Sequence, residues 1–290
     1  MSKKDSVNYI LHEQSNQFYW EGNGQLSIKT FSNGNAQYKT DKGFFTVEES
    51  IYLLLNEGPY TLSIDHKNVV ESFCIFFRKG FAEEVARSLE DSPDKLLLDP
   101  YKPTDPIGFF EKTYHTNQTL TIQLNQLKGQ FLFFRKDSLW LEEQLHKIMG
   151  TLLYVHNDTM QKVHSLNACR YSTREEIYRR ISIAHDYIRS FYSQQIQLQK
   201  IAQVACLSQN HLLRNYSQIF GKTPHQHISE LRISKAIQLL KKLEYNITDI
   251  SFEVGFQNPV SFSKMFKQHV GISPLQFRKK VILDKNPSFY

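Results

Sequence analysis

The chain has 290 residues and a mass of 34.1 kDa, which at roughly 150 residues per domain predicts about two domains with separate cores. Apolar residues make up 40% and aromatic residues 13%, with only 12 Gly and 9 Pro, and this composition excludes disordered, collagen-like and low-complexity chains. The formal net charge of +6 is unevenly distributed: residues 177–290 carry 16 Lys and Arg against 6 Asp and Glu, whereas residues 1–176 have a net charge of −4. A basic half is typical of a nucleic-acid-binding domain, although a basic solvated face would carry the same charge.

The first third of the chain has the pattern of short β-strands. Leu26–Phe31 alternates apolar and polar residues, and the Asn33-Gly34 pair that follows predicts a two-residue hairpin turn, because both residues accept positive φ. Strands at such close spacing predict a sandwich or a small barrel. Further strands are predicted at Ser50–Leu55, Tyr60–Ile64 and Phe73–Phe77.

Helical patterns follow the strands. Phe81, Val85 and Leu89 recur at helical spacing before Pro93 and predict one helix that closes this unit. Residues 93–118 lack a clear period and are expected to form an irregular surface connection. A short helix is then predicted over Thr119–Lys128.

A longer helix is predicted from Ser138 onward, with a continuous apolar stripe. The stripe either packs against the β-strands of its own chain or forms a dimer seam with a second chain, and one sequence does not distinguish these two arrangements. Its members are Leu145, Ile148, Met149 and Leu152.

From Ser172 the chain is predicted to be almost entirely helical. Ser172 with Glu175 three residues later forms a capping-box pattern, which predicts a helix start and a domain boundary near residue 171.

An internal repeat occupies the basic half. Val204–Gly221 aligns without a gap with Val254–Gly271, fifty residues later, and the residue classes agree position by position. Each copy predicts a short helix, a tight turn, an N-cap (Ser208 or Asn258) and a second helix that ends at glycine, which is the helix-turn-helix plan. The first helices of the two copies are predicted over Leu198–Ala205 and Asp249–Val254.

The second helix of each copy has one apolar face. The i, i+4 spacing of Leu212 with Tyr216, and of Phe262 with Phe266, predicts that these residues face the core. The other faces are then free to enter a groove of DNA. They carry Asn210, Leu213 and Arg214 in the first copy, and Val260, Ser261, Lys264 and Lys267 in the second.

A single connecting helix is predicted between the copies, over Pro224–Leu243, with Lys241 and Lys242 at the end where cations are favoured by the helix dipole. About twenty residues at 1.5 Å each span about 30 Å, close to the roughly 34 Å between successive major-groove segments on one face of B-DNA. This length would allow one chain to read two adjacent major grooves.

From about Tyr178 to Lys280 the chain resembles the DNA-binding domain of the AraC family of bacterial transcription regulators. The resemblance implies two helix-turn-helix units joined by one long helix, with double-stranded DNA as the partner. Its most specific part is the second copy, with Ile250, Val254-Gly255-Phe256, Phe262-Ser263-Lys264, Phe266-Lys267, Gly271, Ser273-Pro274 and Phe277-Arg278.

The resemblance also implies which residues touch DNA. Arg214, which fits a guanine edge, and Lys264 are the best candidates for reading bases, because Leu213 offers only an apolar contact and Pro259 and Val260 replace polar groups often present in that helix. The full set of expected base contacts is Asn210, His211, Leu213, Arg214, Pro259, Val260, Ser261 and Lys264. Contacts to the DNA backbone are expected from Ser208, Lys222, Thr223, Asn258, Ser263, Lys267 and Arg278.

The first half is similar, in the order of its elements, to the cupin-like effector-binding and dimerisation domains of many AraC-family members. The expected fold is α+β, with a cupin-like β-barrel and helices at 1–135, a helical dimerisation or linker region at 136–171, and an all-α DNA-binding domain at 172–290. The resemblance implies a homodimer, a small-molecule effector of unknown identity bound in the barrel, RNA polymerase as a further partner, and activation as the commoner mode. The alternative is a barrel that only dimerises or binds a protein.

Motifs for catalysis, cofactors and metals are weak. Gly22-Asn23-Gly24 has Ser27 in place of the third glycine of a dinucleotide motif, and Gly221-Lys222-Thr223 follows a helix, as a C-cap does, instead of a strand. His225 and His227 stand two residues apart on a helix and therefore point apart. We expect no enzyme activity, no cofactor and no metal; the competing hypotheses are a metal-cupin enzyme fused to a DNA-binding domain and a nonspecific architectural DNA binder.

No export signal is expected from the sequence. The first residues lack an apolar leader segment, and no run of about 18 apolar residues occurs, so a cytoplasmic protein without a membrane span is expected. Cys74, Cys169 and Cys206 are odd in number and far apart, which predicts buried, reduced thiols.

Overall fold

The computed structural model of the protein describes residues 7–99, 102, 104–134, 137–166, 170–242 and 244–285. The chain divides into two compact units, the first ending at Arg179 and the second beginning at Arg180. The predicted boundary after residue 171 lies at the start of the helix that contains this division. Cys169 and Leu243, which figure in the predictions above, lie outside the described residues.

Among the described residues of the first unit, seven antiparallel strands form one sheet. The order along the sheet is β4-β3-β6-β2-β5-β7, and β1 pairs with β6. The longest strand, β6, pairs with β1 along one edge and with β3 and then β2 along the other, so it is the strand around which the sheet curls into a barrel. The strands are β1 (Tyr9–Gly24), β2 (Ser27–Ser32), β3 (Asn35–Lys39), β4 (Phe44–Glu48), β5 (Ile51–Leu55), β6 (Gly58–Phe76) and β7 (Lys112–His115).

The predicted hairpin at Asn33-Gly34 is wrong. Asn33 does adopt a positive φ of 64°, but β2 and β3 pair with β6 instead of with each other, and they run in the same direction along it. The two strands predicted at Tyr60–Ile64 and Phe73–Phe77 are parts of the single strand β6, whose 19 residues are long enough to pair with both β2 and β3. The 16-residue strand β1 was not predicted from the sequence.

The described part of the first unit also contains the helices α1 (Phe81–Glu90), α2 (Pro93–Leu98), α3 (Gln118–Phe134) and α4 (Ser138–His164). The prediction of α1 is confirmed, although Leu89 is 66% exposed and lies off its buried face. The connection expected to be irregular contains α2 and β7, because β5 offers its free edge to residues 112–115. The helix predicted over Thr119–Lys128 continues to Phe134.

Each face of the central strands packs into its own core. Alternate residues of β2, such as Ile28, face a core shared with α1, α3 and α4, whereas Phe31 faces the barrel interior. The alternation of Leu26–Phe31 therefore does not mark a half-exposed strand, and Lys29 in its middle is buried. The apolar stripe of α4 lies in the first of these cores, so it packs against its own chain and is not open to a second copy.

The second unit is helical. Its helices are α5 (Tyr171–Phe191), which begins in the first unit, α6 (Leu198–Val204), α7 (Gln209–Phe220), α8 (Pro224–Leu240), α9 (Ile247–Glu253), α10 (Pro259–Val270) and α11 (Pro274–Lys285). Ser172 lies inside α5, one residue after its start, and not at the cap position. The connecting helix α8 ends at Leu240, which gives 17 residues and about 25 Å instead of about 30 Å. In the part of the chain that the structure describes, no helix has the length and apolar character needed to cross a membrane.

Candidate nucleic-acid interface and effector cavity

Two helix-turn-helix units are present, α6 with α7 and α9 with α10, as the repeat predicts. The Ser208 hydroxyl accepts a hydrogen bond from the His211 backbone N–H at 3.3 Å, and the Asn258 side chain accepts one from the Ser261 backbone N–H at 2.7 Å. These caps satisfy backbone donors that the first turn of a helix otherwise leaves unpaired. The predicted N-caps are therefore confirmed in both copies.

Glycines end both second helices, as predicted. Gly221 has φ 68° and Gly271 has φ 86°, the left-handed conformation that a C-cap glycine adopts without penalty. The Gly221-Lys222-Thr223 string is thus a helix end followed by the next N-cap, and not a phosphate-binding loop.

The two turns differ in length by one residue, so the ungapped alignment is wrong at its start. The left-handed turn residue is Cys206 in the first helix-turn-helix unit and Gly255 in the second helix-turn-helix unit, 49 positions apart. The N-caps Ser208 and Asn258 are instead 50 positions apart. The hydrogen bonds agree: the Leu207 backbone N–H donates to the Ala202 carbonyl, and the Phe256 N–H to the Ser251 carbonyl. Cys206 is exposed in this turn, which contradicts the expectation of a buried thiol, while Cys74 is buried as expected.

The repeat extends past the second helices. The Thr223 hydroxyl and Gln226 side chain form a capping box at the start of α8, and Ser273 and Gln276 form the same box at the start of α11. Both helices therefore start in the same way, although only α8 joins the two helix-turn-helix units.

The apolar faces of the second helices are buried as predicted. Leu212, Tyr216, Phe262 and Phe266 are each fully buried. In the second helix-turn-helix unit, Phe262 and Phe266 share a core with Ile250, Val254 and residues of α8.

The structure leaves most of the expected base-contacting residues at the surface. Arg214 and Lys264 are exposed, at equivalent positions of α7 and α10, and Val260 is 78% exposed. Leu213 and Pro259 are half-buried, which reduces the surface that they can offer to a base. Asn210, His211 and Ser261 are exposed in the first turns of their helices.

The residues expected to contact the DNA backbone differ in how free their side chains are. Ser208, Thr223 and Asn258 are N-caps, which places them at helix N-termini where the backbone N–H groups favour phosphate. The Lys222 ammonium forms an ion pair with Glu230, so part of its charge is already neutralised. Lys267 is exposed.

Two further residues of this set are less accessible. Ser263 and Arg278 are half-buried. The Nε and one Nη nitrogen of Arg278 are buried without a hydrogen-bond partner among the described residues. A phosphate contact by Arg278 would therefore involve its remaining nitrogen or a shift of the side chain.

The sequence did not reveal a hydrogen-bonded cluster beneath α7. The Tyr216 hydroxyl lies 2.5 Å from His227 Nδ1 and 3.2 Å from His185 Nδ1, so it can donate to one ring and accept from the other. In the second helix-turn-helix unit, Phe266 stands in place of Tyr216 and Phe277 in place of His227, and their rings meet edge to face at a centroid distance of 5.7 Å. His227 is buried while His225 is exposed, which agrees with the prediction that the two point apart.

A cavity of about 560 Å³ lies in the first unit, inside the curled sheet. Its walls are largely aromatic, with Tyr9 stacked on Phe76 at a centroid distance of 4.4 Å and Trp20 beside Tyr60 at 4.7 Å. A concave, mostly apolar site with a few polar groups is the usual form of a small-molecule site. The buried ammonium of Lys29 lines it. The alternating pattern of β2 gave no sign of this lysine, because a polar residue in such a strand is ordinarily solvent-facing.

Within the described ranges, no three or more His, Cys, Asp or Glu side chains are grouped so as to hold a metal ion. The weak dinucleotide motif Gly22-Asn23-Gly24 lies in the strand β1 and not in a loop before a helix.

Comparisons with known proteins identify the helical unit. Residues 201–280 match the family model described as a helix-turn-helix domain. The chain is 32% identical over 97 residues to the MmsAB operon regulatory protein of Pseudomonas aeruginosa, which covers 33% of this chain and 32% of that protein. It is 23% identical over 194 residues to the HTH-type transcriptional activator RhaS of Escherichia coli, which covers 65% of this chain and 66% of RhaS.

The chain spans about a third of the length of the curated relatives that it matches at 32% identity. Among solved structures it is similar to ToxT from Vibrio cholerae, with 14% identity, a TM-score of 0.36, and coverage of 93% of this chain and 97% of that chain. The two helix-turn-helix units and the family match at 201–280 agree with the resemblance found in the sequence, and residues 201–280 form a helix-turn-helix domain similar to that of AraC-family transcription regulators.

Proposed function

We propose that this protein is a sequence-specific DNA-binding transcription regulator. The observation that carries the proposal is the pair of helix-turn-helix units, each of which holds a second helix with a buried apolar face and an exposed polar face. A net charge of +10 over residues 177–290 supports binding to the phosphate backbone.

Within this proposal, the second helices α7 and α10 enter the major groove. Arg214 and Lys264 are the principal base readers, supported by their exposure at equivalent positions, and Asn210, His211 and Ser261 are next. Val260 offers an exposed apolar contact to a thymine methyl group. The caps and Lys267 hold the backbone, with Lys222 a weaker contributor because of its ion pair with Glu230.

The first unit supplies control. We propose that its cavity binds a small-molecule effector, which shifts the population of a homodimer between DNA-binding states and leads to activation through RNA polymerase. The domains are assigned as 1–135 for the effector, 136–171 for dimerisation or linkage and 172–290 for DNA. We assign the protein to the cytoplasm, where its DNA would be, and we assign it no catalytic activity because the relatives that it resembles are named as regulators.

Selection of genomic fragments by the full-length protein tests the proposal. Bound fragments are sequenced, and their affinity is compared with that of random DNA in a gel-shift series at several salt concentrations. We expect a common sequence element bound at least about a thousandfold more tightly than random DNA at physiological salt. A specificity ratio near one would replace the regulator with a nonspecific architectural DNA binder.

A matched pair of variants sharpens this test. Arg214→Ala removes a charge from the proposed groove-facing surface, and Lys79→Ala removes one from an exposed site in the first unit. Only the first should weaken binding to the selected element. Equal effects of the two would contradict the assigned interface.

A further inference from the structure

We infer that the cavity of the first unit binds a small apolar carboxylic acid, with its carboxylate at the Lys29 ammonium and its apolar part among the aromatic rings. This inference rests on the proposed function in taking the ligand to be the effector. The binding itself is a property of the first unit and can be measured without DNA.

The first observation is the burial of Lys29. This residue is 1% exposed, and its Nζ donates a hydrogen bond to the Tyr60 hydroxyl at 3.1 Å. None of the described carboxylates lies within ion-pair distance of it, and its other two N–H groups have no partner among the described residues. A buried ammonium without a counter-charge is unfavourable, because burial removes its hydration.

The surroundings of Lys29 provide only partial compensation. Nζ lies 3.5 Å from the centroid of the Phe76 ring and 5.1 Å from that of Tyr60, which is cation–π geometry. Burial lowers the pKa of Lys29 to about 8, so most molecules still carry the positive charge at neutral pH. A bound anion would supply the missing counter-charge.

Two hydroxyl groups extend the set of donors. The Tyr60 hydroxyl accepts the Lys29 hydrogen bond and keeps its own O–H free to donate. The Tyr38 hydroxyl is buried and has no hydrogen-bond partner of normal geometry among the described residues, although the weakly bonding Cys74 thiol lies near it. Burial raises the pKa of both phenols, so both keep their hydrogen at neutral pH.

These polar groups are donors, and the Tyr38 and Tyr60 rings lie next to each other at a centroid distance of 5.6 Å. A carboxylate has two acceptor oxygens and no donor, so it can accept from Lys29 and from one or both tyrosines. An alcohol or an amine would introduce donors of its own beside these. The chemistry of the cavity therefore favours a carboxylate.

The remaining walls indicate the rest of the ligand. The stacked pair Tyr9 and Phe76 and the neighbouring Trp20 form flat apolar surfaces, and Leu11 and Phe18 line the cavity while remaining 45% and 47% exposed. These partly exposed apolar side chains would gain burial from an apolar ligand. The one carboxylate in the lining is that of Glu13, an exposed residue.

Calorimetric titration of the full-length protein tests this inference. The probes are 3-phenylpropanoate, octanoate and 2-naphthoate, each compared with the alcohol of the same carbon skeleton. At least one acid should bind at least about tenfold more tightly than its alcohol. The preference should fall below about threefold in Lys29→Met, a change that keeps side-chain length but removes the charge.

Further variants separate a specific site from general effects. Tyr38→Phe, which removes only a hydroxyl, should weaken binding of the acid more than binding of the alcohol. Lys39→Met, at an exposed position on the strand β3, should leave both unchanged. Lys29→Met is expected to fold, since an apolar side chain suits the buried site better than an ammonium does.

Three results would overturn the inference. They are equal affinity for each acid and its alcohol, no binding of any of the three acids, and an acid preference that persists in Lys29→Met. If the protein still selects a DNA element in any of these cases, the regulator proposal stands and only the class of ligand is refuted. Loss of DNA selection with intact acid binding would instead refute the regulator proposal alone.

Discussion

Cys206 and Gly255 occupy equivalent positions in the turns of the two helix-turn-helix units, and both have a left-handed backbone, with φ 52° and φ 95°. Their surroundings differ. Cys206 is exposed, whereas a Cβ on Gly255 would lie 2.3 Å from the carbonyl oxygen of Ser193. The turn thus tolerates a side chain in the first helix-turn-helix unit and excludes it in the second, because the Ser193 backbone, between α5 and α6, lies against Gly255.

Gly255→Ala should therefore destabilise the helical unit by about 2–4 kcal/mol, from left-handed strain together with a backbone clash. The measurement is chemical unfolding followed by circular dichroism. Cys206→Gly is the matched control, and it should change stability by less than about 1 kcal/mol, since relief of strain opposes the added chain entropy. Equal effects at the two positions would mean that the turns are equivalent in packing as well as in backbone.

The Tyr216 hydroxyl and His227 supply a second test. Tyr216→Phe removes the hydroxyl that lies 2.5 Å from His227 Nδ1 and should cost about 1–2 kcal/mol, because a buried hydrogen bond is lost. Tyr216→Phe combined with His227→Phe reproduces the Phe266 and Phe277 pair of the second helix-turn-helix unit. The double variant should recover part of the lost stability. Urea unfolding of the wild type, both single variants and the double variant gives the coupling energy.

The control for this cycle is Tyr245→Phe, at a site that is 39% exposed, which should change stability by less than about 0.5 kcal/mol. A double variant less stable than the sum of its single changes would contradict the proposed equivalence of the two pairs.

Lys29 links stability to pH. Without ligand, Lys29→Met should raise the free energy of unfolding by about 1–3 kcal/mol at neutral pH, since burial lowers the lysine pKa from 10.5 to about 8 and each pKa unit corresponds to about 1.4 kcal/mol. The unfolded chain binds a proton that the folded chain releases between these two pKa values. The penalty in the wild type is therefore complete below pH 8 and disappears as the pH rises towards 10.5.

Thermal unfolding of wild type and Lys29→Met across this pH range checks the sign. The gap in stability should close with rising pH. A gap that is independent of pH would show that the lysine ionises as in the unfolded chain.

Base reading can be separated from backbone contact. Arg214→Ala and Lys264→Ala should each cost about 1–3 kcal/mol on a selected DNA element and relax the base preference at one position. The measurement is affinity for the element and for single-base variants of it. Equal losses on the element and on random DNA would make the residue a phosphate contact.

The salt dependence of binding distinguishes two lysines. Lys267→Ala should reduce the slope of log affinity against log salt by about 1, the value for one lost phosphate contact. Lys222→Ala should reduce it by less, because Glu230 already neutralises part of this charge. Glu230→Gln should release Lys222 and increase the slope; an unchanged slope would mean that the ion pair does not form in solution.

The helix-turn-helix units were predictable because their signals are local. The caps at Ser208 and Asn258, the glycine ends at Gly221 and Gly271 and the apolar i, i+4 pairs act within a few residues of chain, so the sequence could place them to within one or two residues. The ungapped alignment failed before the N-caps: the first helices, Leu198–Val204 and Ile247–Glu253, are 49 residues apart because the second turn is one residue longer. An aligned string of similar residues does not reveal a one-residue change in a loop.

The β-unit was less predictable, because strand pairing depends on residues far apart in the chain. Asn33 takes the conformation that its motif predicts, yet the following strand β3 pairs with β6. The sequence did not predict this pairing, because the full length of β6 is set by the distant strands that pair with it. The sequence by itself determined the helical DNA-binding unit, its caps and its basic charge. Tertiary structure alone decided that Lys29 is buried beside Tyr60 and that the α4 stripe packs on its own chain, because burial depends on which distant elements cover a residue.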